Sequence, residues 1–217
     1  LVLARAGRAA AALKLADDLA NKIEADPQAY ARLIRAEVSL LQGQGRAAAE
    51  QAREAQKLAD SWPGRVILAR AYLAMGDRGA AEGEAVRGWR NLPMTEADQV
   101  SLLSEFGAVL EEHHGGRMAT MLWAGLLDDA KRMLPLVSDN TRAVALARIA
   151  LQEDGKGIDA LIKAVPAKMA GSAGLAHDRF RWRIGKDKYG DAGALMLERS
   201  DSAESLGDPQ VWADWRR

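Results

Sequence analysis

The chain has 217 residues, with 30 basic and 30 acidic side chains, a formal net charge of zero and no cysteine. That balance offers no basic stripe for nucleic acid, the missing cysteines exclude disulfides and thiolate metal sites, and no run approaches the ~18 apolar residues of a membrane span. Apolar residues make up 48% but aromatic ones only 5%, so the interior must be built mainly of Ala and Leu, both strong helix formers, and the lack of alternating β-branched runs predicts an all-α protein.

Residues 1–23 read as the end of one helix, a turn at Gly7, and a second helix carrying Leu13, Leu19 and Ile23 at helical spacing. Asp26-Pro27 predicts a helix start with Asp as cap and Pro at the first helical position. The next helix pair runs from about residue 28 to 59, broken at Gly43-Gln44-Gly45. Ser61-Trp62-Pro63 restarts the pattern, and a third pair stops at Leu92-Pro93, where proline lacks a donor. Thr95-Glu96-Ala97-Asp98 resembles a capping box opening a helix with Val100, Leu103, Phe106 and Leu110 on one face, which ends at His113-His114-Gly115-Gly116. Shorter pairs follow: Trp123-Ala124-Gly125 with Ala130, Leu151 and Gly155 with Ala160, then Trp182 and Gly185 with Ala192 and Ala194.

In the first part an apolar run ends three times at Gly-x-x-x-x-Ala, at intervals of about 34 residues. The fullest copy is Leu68-Ala69-Arg70-Ala71-Tyr72, Gly76, Ala81 and Pro93; Ala36, Gly43 and Ala48 form a second, and Gly7 with Ala12 a first. These copies resemble tetratricopeptide (TPR) repeats, whose paired helices must stack on their neighbours, so the expected architecture is an α-solenoid, a superhelix of stacked hairpins. After Pro93 the glycine signals tighten to about 30 residues. Rhythm therefore suggests residues 1–93 as TPR-like repeats and 94–217 as a second region continuous with them.

From about residue 89 a different resemblance runs to 217. Trp89-Arg90-Asn91-Leu92-Pro93-Met94-Thr95 with Phe106-Gly107, Leu122-Trp123-Ala124-Gly125, and Ala130-Lys131-Arg132-Met133-Leu134-Pro135-Leu136-Val137 carry it. So do Ala147-Arg148-Ile149-Ala150-Leu151 and Gly157-Ile158-Asp159-Ala160-Leu161. The most specific run is Gly174-Leu175-Ala176-His177-Asp178-Arg179-Phe180-Arg181-Trp182-Arg183, and the last is Pro209-Gln210-Val211-Trp212-Ala213-Asp214-Trp215-Arg216-Arg217. In that order they resemble the N-terminal α-superhelical (U-shaped) region of soluble lytic murein transglycosylases. The resemblance implies a periplasmic parent enzyme that cleaves the MurNAc–GlcNAc bond of peptidoglycan to a 1,6-anhydro product, with one Glu acting as acid and then base. Common glycosidases use two carboxylates instead. It implies that this region is a scaffold restraining glycan strands or partners. The family's lysozyme-like catalytic part, with a Glu-Ser pair followed by Gly-Leu-Met-Gln, is not found here. Ala203-Glu204-Ser205 imitates the pair without the following run, so Glu204 reads as a solvated loop before the helix start at Asp208-Pro209. Because residue 1 is Leu, the chain reads as an internal or processed piece of something longer, trimmed or joined from two sources.

Other constellations read as structural. Adjacent histidines such as His113 and His114 point about 100° apart on a helix and carry no zincin spacing, so no metal site is predicted; a helix C-terminus suits their partial charge. His177 reads as a satisfied or exposed histidine. Phe180, Trp182, Trp212 and Trp215, among Arg179, Arg181, Arg183, Arg216 and Arg217, read as core aromatics with solvating arginines rather than a sugar-stacking patch, and Trp62, Trp89 and Trp123 as hairpin anchors. Gly43-x-Gly45 and Asp154-Gly155-Lys156-Gly157 are turns, not phosphate loops, and no Gly-x-Ser-x-Gly elbow occurs. No catalytic residue and no cofactor are predicted.

In a TPR stack the first helix of each pair lines the concave groove, so a partner-binding surface is expected from Tyr30, Leu33 and Glu37 of one pair and Val66, Arg70 and Leu73 of the next. Glu37 paired with Arg70, and Tyr30 covering a repeat junction, is the equally physical alternative. Two functions stay open: the scaffold of a lytic transglycosylase, and a TPR-type protein-interaction adaptor with no enzymatic activity. The expected partners are peptidoglycan glycan strands or a protein or peptide, not nucleic acid.

Overall fold

The computed structural model describes residues 1–213 and Trp215; Asp214, Arg216 and Arg217 of the closing run lie outside the described residues. Among the described residues all regular structure is helical, as the Ala- and Leu-rich composition requires, and no helix is long and apolar enough to cross a membrane. The chain divides into two compact units, Leu1–His113 and His114–Arg217.

The first unit comprises α1 (Val2–Arg5), α2 (Ala9–Ala20), α3 (Ala25–Leu41), α4 (Gly45–Leu58), α5 (Trp62–Ala74), α6 (Arg78–Asn91) and α7 (Glu96–Leu110). Each helix packs on the next, and α1, α3 and α5 also touch in turn, so these three form one layer of a solenoid-like stack. Three turns share one device. Gly7, Gly43 and Gly76 have φ near +73 to +78°, and the following N–H reaches back to the carbonyls of Leu3, Ser39 and Tyr72 at 2.8–2.9 Å. This is the Schellman closure that lets a helix reverse into its partner. Between the helices the packing is alanine on alanine: Ala36, Ala48, Ala49, Ala52 and Ala71 are buried around Leu33, Ile67 and Leu68. Small side chains bring the axes close, and α3 is apolar on two sides, with Leu33 and Ala36 in this cluster and Ala31, Ile34 and Val38 in a second one with α1 and α2.

Helix starts depart from expectation in detail. Glu24, not Asp26, is the cap of α3, and Asp26 sits in the first turn, where its charge suits the dipole. Thr95 does cap α7, accepting the Asp98 N–H at 3.2 Å, while its hydroxyl donates to the Asp98 carboxylate at 2.7 Å. The buried face of α7 is Gln99, Leu102, Phe106 and Leu110; Val100 is exposed. Rhythm alone points to Pro93 as a boundary, whereas the division falls after His113, because α7 packs back on α6.

The second unit comprises α8 (His114–Trp123), α9 (Leu127–Met133), α10 (Asp139–Gln152), α11 (Ile158–Ala164), α12 (Ala173–Gly185), α13 (Tyr189–Arg199), α14 (Ala203–Leu206) and α15 (Gln210–Ala213). Gly115 and Gly116 do not end a helix; they belong to the first turn of α8. Gly125 repeats the left-handed turn of the first unit, but the next two turns place an aspartate there: Asp154 at φ 51° and Asp187 at φ 57°. The Gly155 N–H reaches the Ala150 carbonyl at 2.8 Å and the Lys188 N–H reaches Arg183 at 2.9 Å, which is the same closure. Aspartate tolerates this region better than most side chains. Glu204 is exposed in the short α14 rather than in a loop, and Ser202 caps that helix by accepting the Ser205 N–H.

Candidate functional site

An open groove of about 560 Å³ crosses the first unit. Leu1, Val2 and Arg5 around α1 form one wall and Asp98, Ser101, Leu102, Glu105 and Phe106 of α7 form another; α5 supplies the floor through Trp62, Val66, Ala69 and Arg70. Apolar side chains line its base, and charges of both signs stand on its rim.

Glu37 sits beneath this groove, fully buried, and two arginines from different helices converge on it. Arg5 Nε donates to Oε1 at 2.8 Å, and Arg70 Nη1 donates to Oε1 and Oε2 at 2.9 and 3.1 Å. Burial works to raise the Glu37 carboxyl, but the hydrogen bonds from Arg5 and Arg70 outweigh it and hold the group below the ordinary carboxylate range. The same bond to Glu37 raises Arg5 against its partial burial, with a contribution from the Asp98 charge on the opposite wall. One carboxylate facing two guanidiniums leaves a net positive edge toward the groove. Across it, Glu105 is exposed and Asp98 half-buried, a negative edge. A second buried glutamate follows the same logic: Glu84 accepts from Arg65 Nη1 at 2.6 Å and from Arg87, and these bonds pull it down despite burial.

Of the residues expected to line a groove, Val66 and Arg70 do so, with Glu37 directly below. Leu33 is buried in the alanine core, because the helix is rotated so that this position faces α4 and α5 rather than the opening. Tyr30 is 47% exposed and Leu73 half-buried, neither on the groove lining. Sequence reasoning missed α1 and α7 as walls. The signal was present in α7, where Asp98, Ser101, Leu102 and Glu105 recur at helical spacing.

The second unit holds a buried polar network. Arg148 Nε donates to Asp178 Oδ2 at 2.6 Å, and Gln152 Nε2 donates to the same oxygen and to the Leu122 carbonyl, both at 3.0 Å. The Arg148 guanidinium lies over the Trp123 ring at 5.1 Å and directly against Gly174, where a Cβ would collide with it. His177 is buried between Trp123 and Trp212, with ring centroids 5.3 and 5.2 Å away. Phe180 and Trp212 are core, Trp182 is half-buried with its indole N–H on Asp154 at 2.9 Å, and Trp215 is 45% exposed. His114 is buried at the start of α8 rather than at a helix C-terminus. Nearby, burial pushes the Arg117 guanidinium down to about 10, which leaves it charged beside Asp129 at 2.7 Å.

Comparison with protein-family models, with curated proteins and with solved structures found no significant match.

Proposed function

We propose that this chain is a non-catalytic helical scaffold from a peptidoglycan lytic transglycosylase, working in the periplasm, where the cleaving glutamic acid belongs to a separate lysozyme-like domain. The parentage rests on the ordered runs from Trp89 to the closing Trp-Arg segment. The observation that favours a binding role over chemistry is the state of Glu37 and Glu84. A general acid at a glycosidic bond needs a raised pKa, and arginine pairs hold both buried glutamates below the usual range. Side chains so arranged brace a shape.

A second reading, a TPR-type adaptor for a protein partner, is favoured by the groove itself. Its apolar lining of Trp62, Val66, Leu102 and Phe106 and its oppositely charged rims suit an extended polypeptide. Two measurements separate the readings. Incubation of the chain with purified sacculi followed by sedimentation retains it under the scaffold reading, with no clearing in a zymogram. Failure to sediment, together with stoichiometric capture of one polypeptide abolished by substituting Val66 and Phe106, selects the adaptor. Clearing of cell wall by the chain alone overturns both.

A further inference from the structure

A second hollow, of about 430 Å³, lies within the second unit, and nothing above assigns it. It is open to solvent, bordered by α10, α12 and the Gly125 turn, and Gln152, Asp154, Asp178, Arg181, Trp182 and Lys186 give it its polar lining. Such a volume suits a small ligand, for which pockets run to ~300–1,000 Å³.

Its floor is rich in acceptors. Asp178 is 5% exposed, and the Arg148 and Gln152 donors both go to Oδ2. Among the described residues no hydrogen bond reaches Oδ1; His177 Nδ1 stands 3.8 Å from it, beyond hydrogen-bond reach. Gln152 commits its amide nitrogen to Asp178 and Leu122, which leaves its oxygen to accept. A ligand that fits this floor must bring hydroxyl or amide donors. Behind Asp178, Arg148 Nη2 and His177 Nδ1 are buried without a hydrogen-bond partner among the described residues. Neither side chain lines the hollow, so the recognition chemistry rests on Asp178, Gln152 and the rim.

The rim adds one charge. Asp154 is already answered by Lys186 Nζ at 2.6 Å and by the Trp182 indole N–H. Arg181 is exposed on the lining and has no acidic partner among the described residues. A neutral polyol leaves Arg181 unanswered, and a simple carboxylate leaves the floor acceptors unanswered.

We propose that this hollow is a binding site for a carboxylated sugar. Its hydroxyl and amide donors meet Asp178 and Gln152, its carboxylate meets Arg181, and its ring lies beside Trp182. The donor and acceptor pattern asks for a hydroxyl-rich acid; the choice of a sugar rests on the peptidoglycan reading proposed above.

The test is a titration of the full chain, followed by NMR of backbone amides and indole N–H groups, with three probes. These are the disaccharide N-acetylglucosaminyl-N-acetylmuramic acid, N,N′-diacetylchitobiose, which lacks the carboxylate, and sodium acetate. The muramic disaccharide is expected to shift signals at Gln152, Asp178 and Trp182. Affinity is expected to fall by about tenfold for chitobiose and for Arg181→Ala, the loss of one charge-assisted contact. Gln152→Ala is expected to weaken both sugars alike. Arg181 is exposed, so its variant leaves the fold intact. The proposal is overturned by disaccharide binding that neither variant changes, by acetate binding as tightly as the disaccharide, or by no shift at these residues with any probe. Retention on sacculi is read separately: sacculus binding without disaccharide binding removes this site and leaves the scaffold reading standing.

Discussion

Glu37 and Arg70 occupy the same place in consecutive hairpins, each six positions before the left-handed glycine of its turn, and their side chains meet at 2.9 Å. Thirty-three residues of sequence separate them; one layer of the solenoid joins them. Arg5 reaches the same carboxylate from α1, so one buried glutamate ties three helices together. The groove above it inherits its positive edge from that tie.

Replacing Glu37 by Gln keeps the volume and removes the charge. Arg5 and Arg70 are partly solvated, so they are not stranded, and the loss is that of hydrogen bonds to a charged group, about 1–3 kcal/mol. Urea unfolding read by far-UV circular dichroism is expected to show a lower midpoint with an unchanged slope. An unchanged midpoint would mean the tie contributes nothing to stability.

The same residue sets a pH dependence. The Glu37 and Glu84 carboxyls lie below their ordinary value of 4.5 in the folded chain, so their contribution is present in full above that pH. As pH falls below 4.5 through the folded values, the folded state takes up protons later than the unfolded chain and this stability is lost. Unfolding midpoints measured downward from pH 7 are expected to drop below pH 4.5, and less steeply for Glu37→Gln. Equal acid limbs for the two proteins would contradict the assignment.

Gly88 and Gly107 are both helical glycines, yet Gly→Ala is expected to act in opposite directions. A Cβ at Gly88 would lie 2.9 Å from the buried Trp62 ring, while one at Gly107 meets nothing within 4 Å. Gly107→Ala should gain up to about 1 kcal/mol from helix propensity. Gly88→Ala should lose about 1–3 kcal/mol, because overpacking exceeds that gain. Thermal unfolding of the two variants checks the signs.

Asp187 tests the left-handed turns. With φ at 57° its backbone favours glycine, and Asp187→Gly is expected to be stabilising or neutral. Asp187→Val is expected to cost about 1–2 kcal/mol, the penalty of a Cβ in that region. If valine is accepted without loss, the turn adopts another conformation in solution.

The reversals at Gly7, Gly43, Gly76 and Gly125 were legible because only one residue type enters that backbone region freely. The Asp154 and Asp187 turns were not: aspartate is common everywhere on a helical surface, and the glycines beside them drew attention to the wrong position. The alanine core was likewise readable from composition and spacing, whereas the rotation of α7, which buries Leu102 and exposes Val100, was not. Apolar residues on both sides of that helix leave its register open until a neighbour packs against it.

By itself, then, the order of residues determined that the chain is helical, that it reverses where a positive φ is cheap, and that its interior is narrow and alanine-lined, since these are local consequences of backbone sterics and side-chain size. Only the tertiary structure decided which charges meet. Glu37 acquired Arg5 as well as Arg70, Asp178 acquired Arg148, and α1 and α7 became walls of one groove, because such pairings depend on helix rotation and on contacts between residues far apart in the chain, which no local preference encodes.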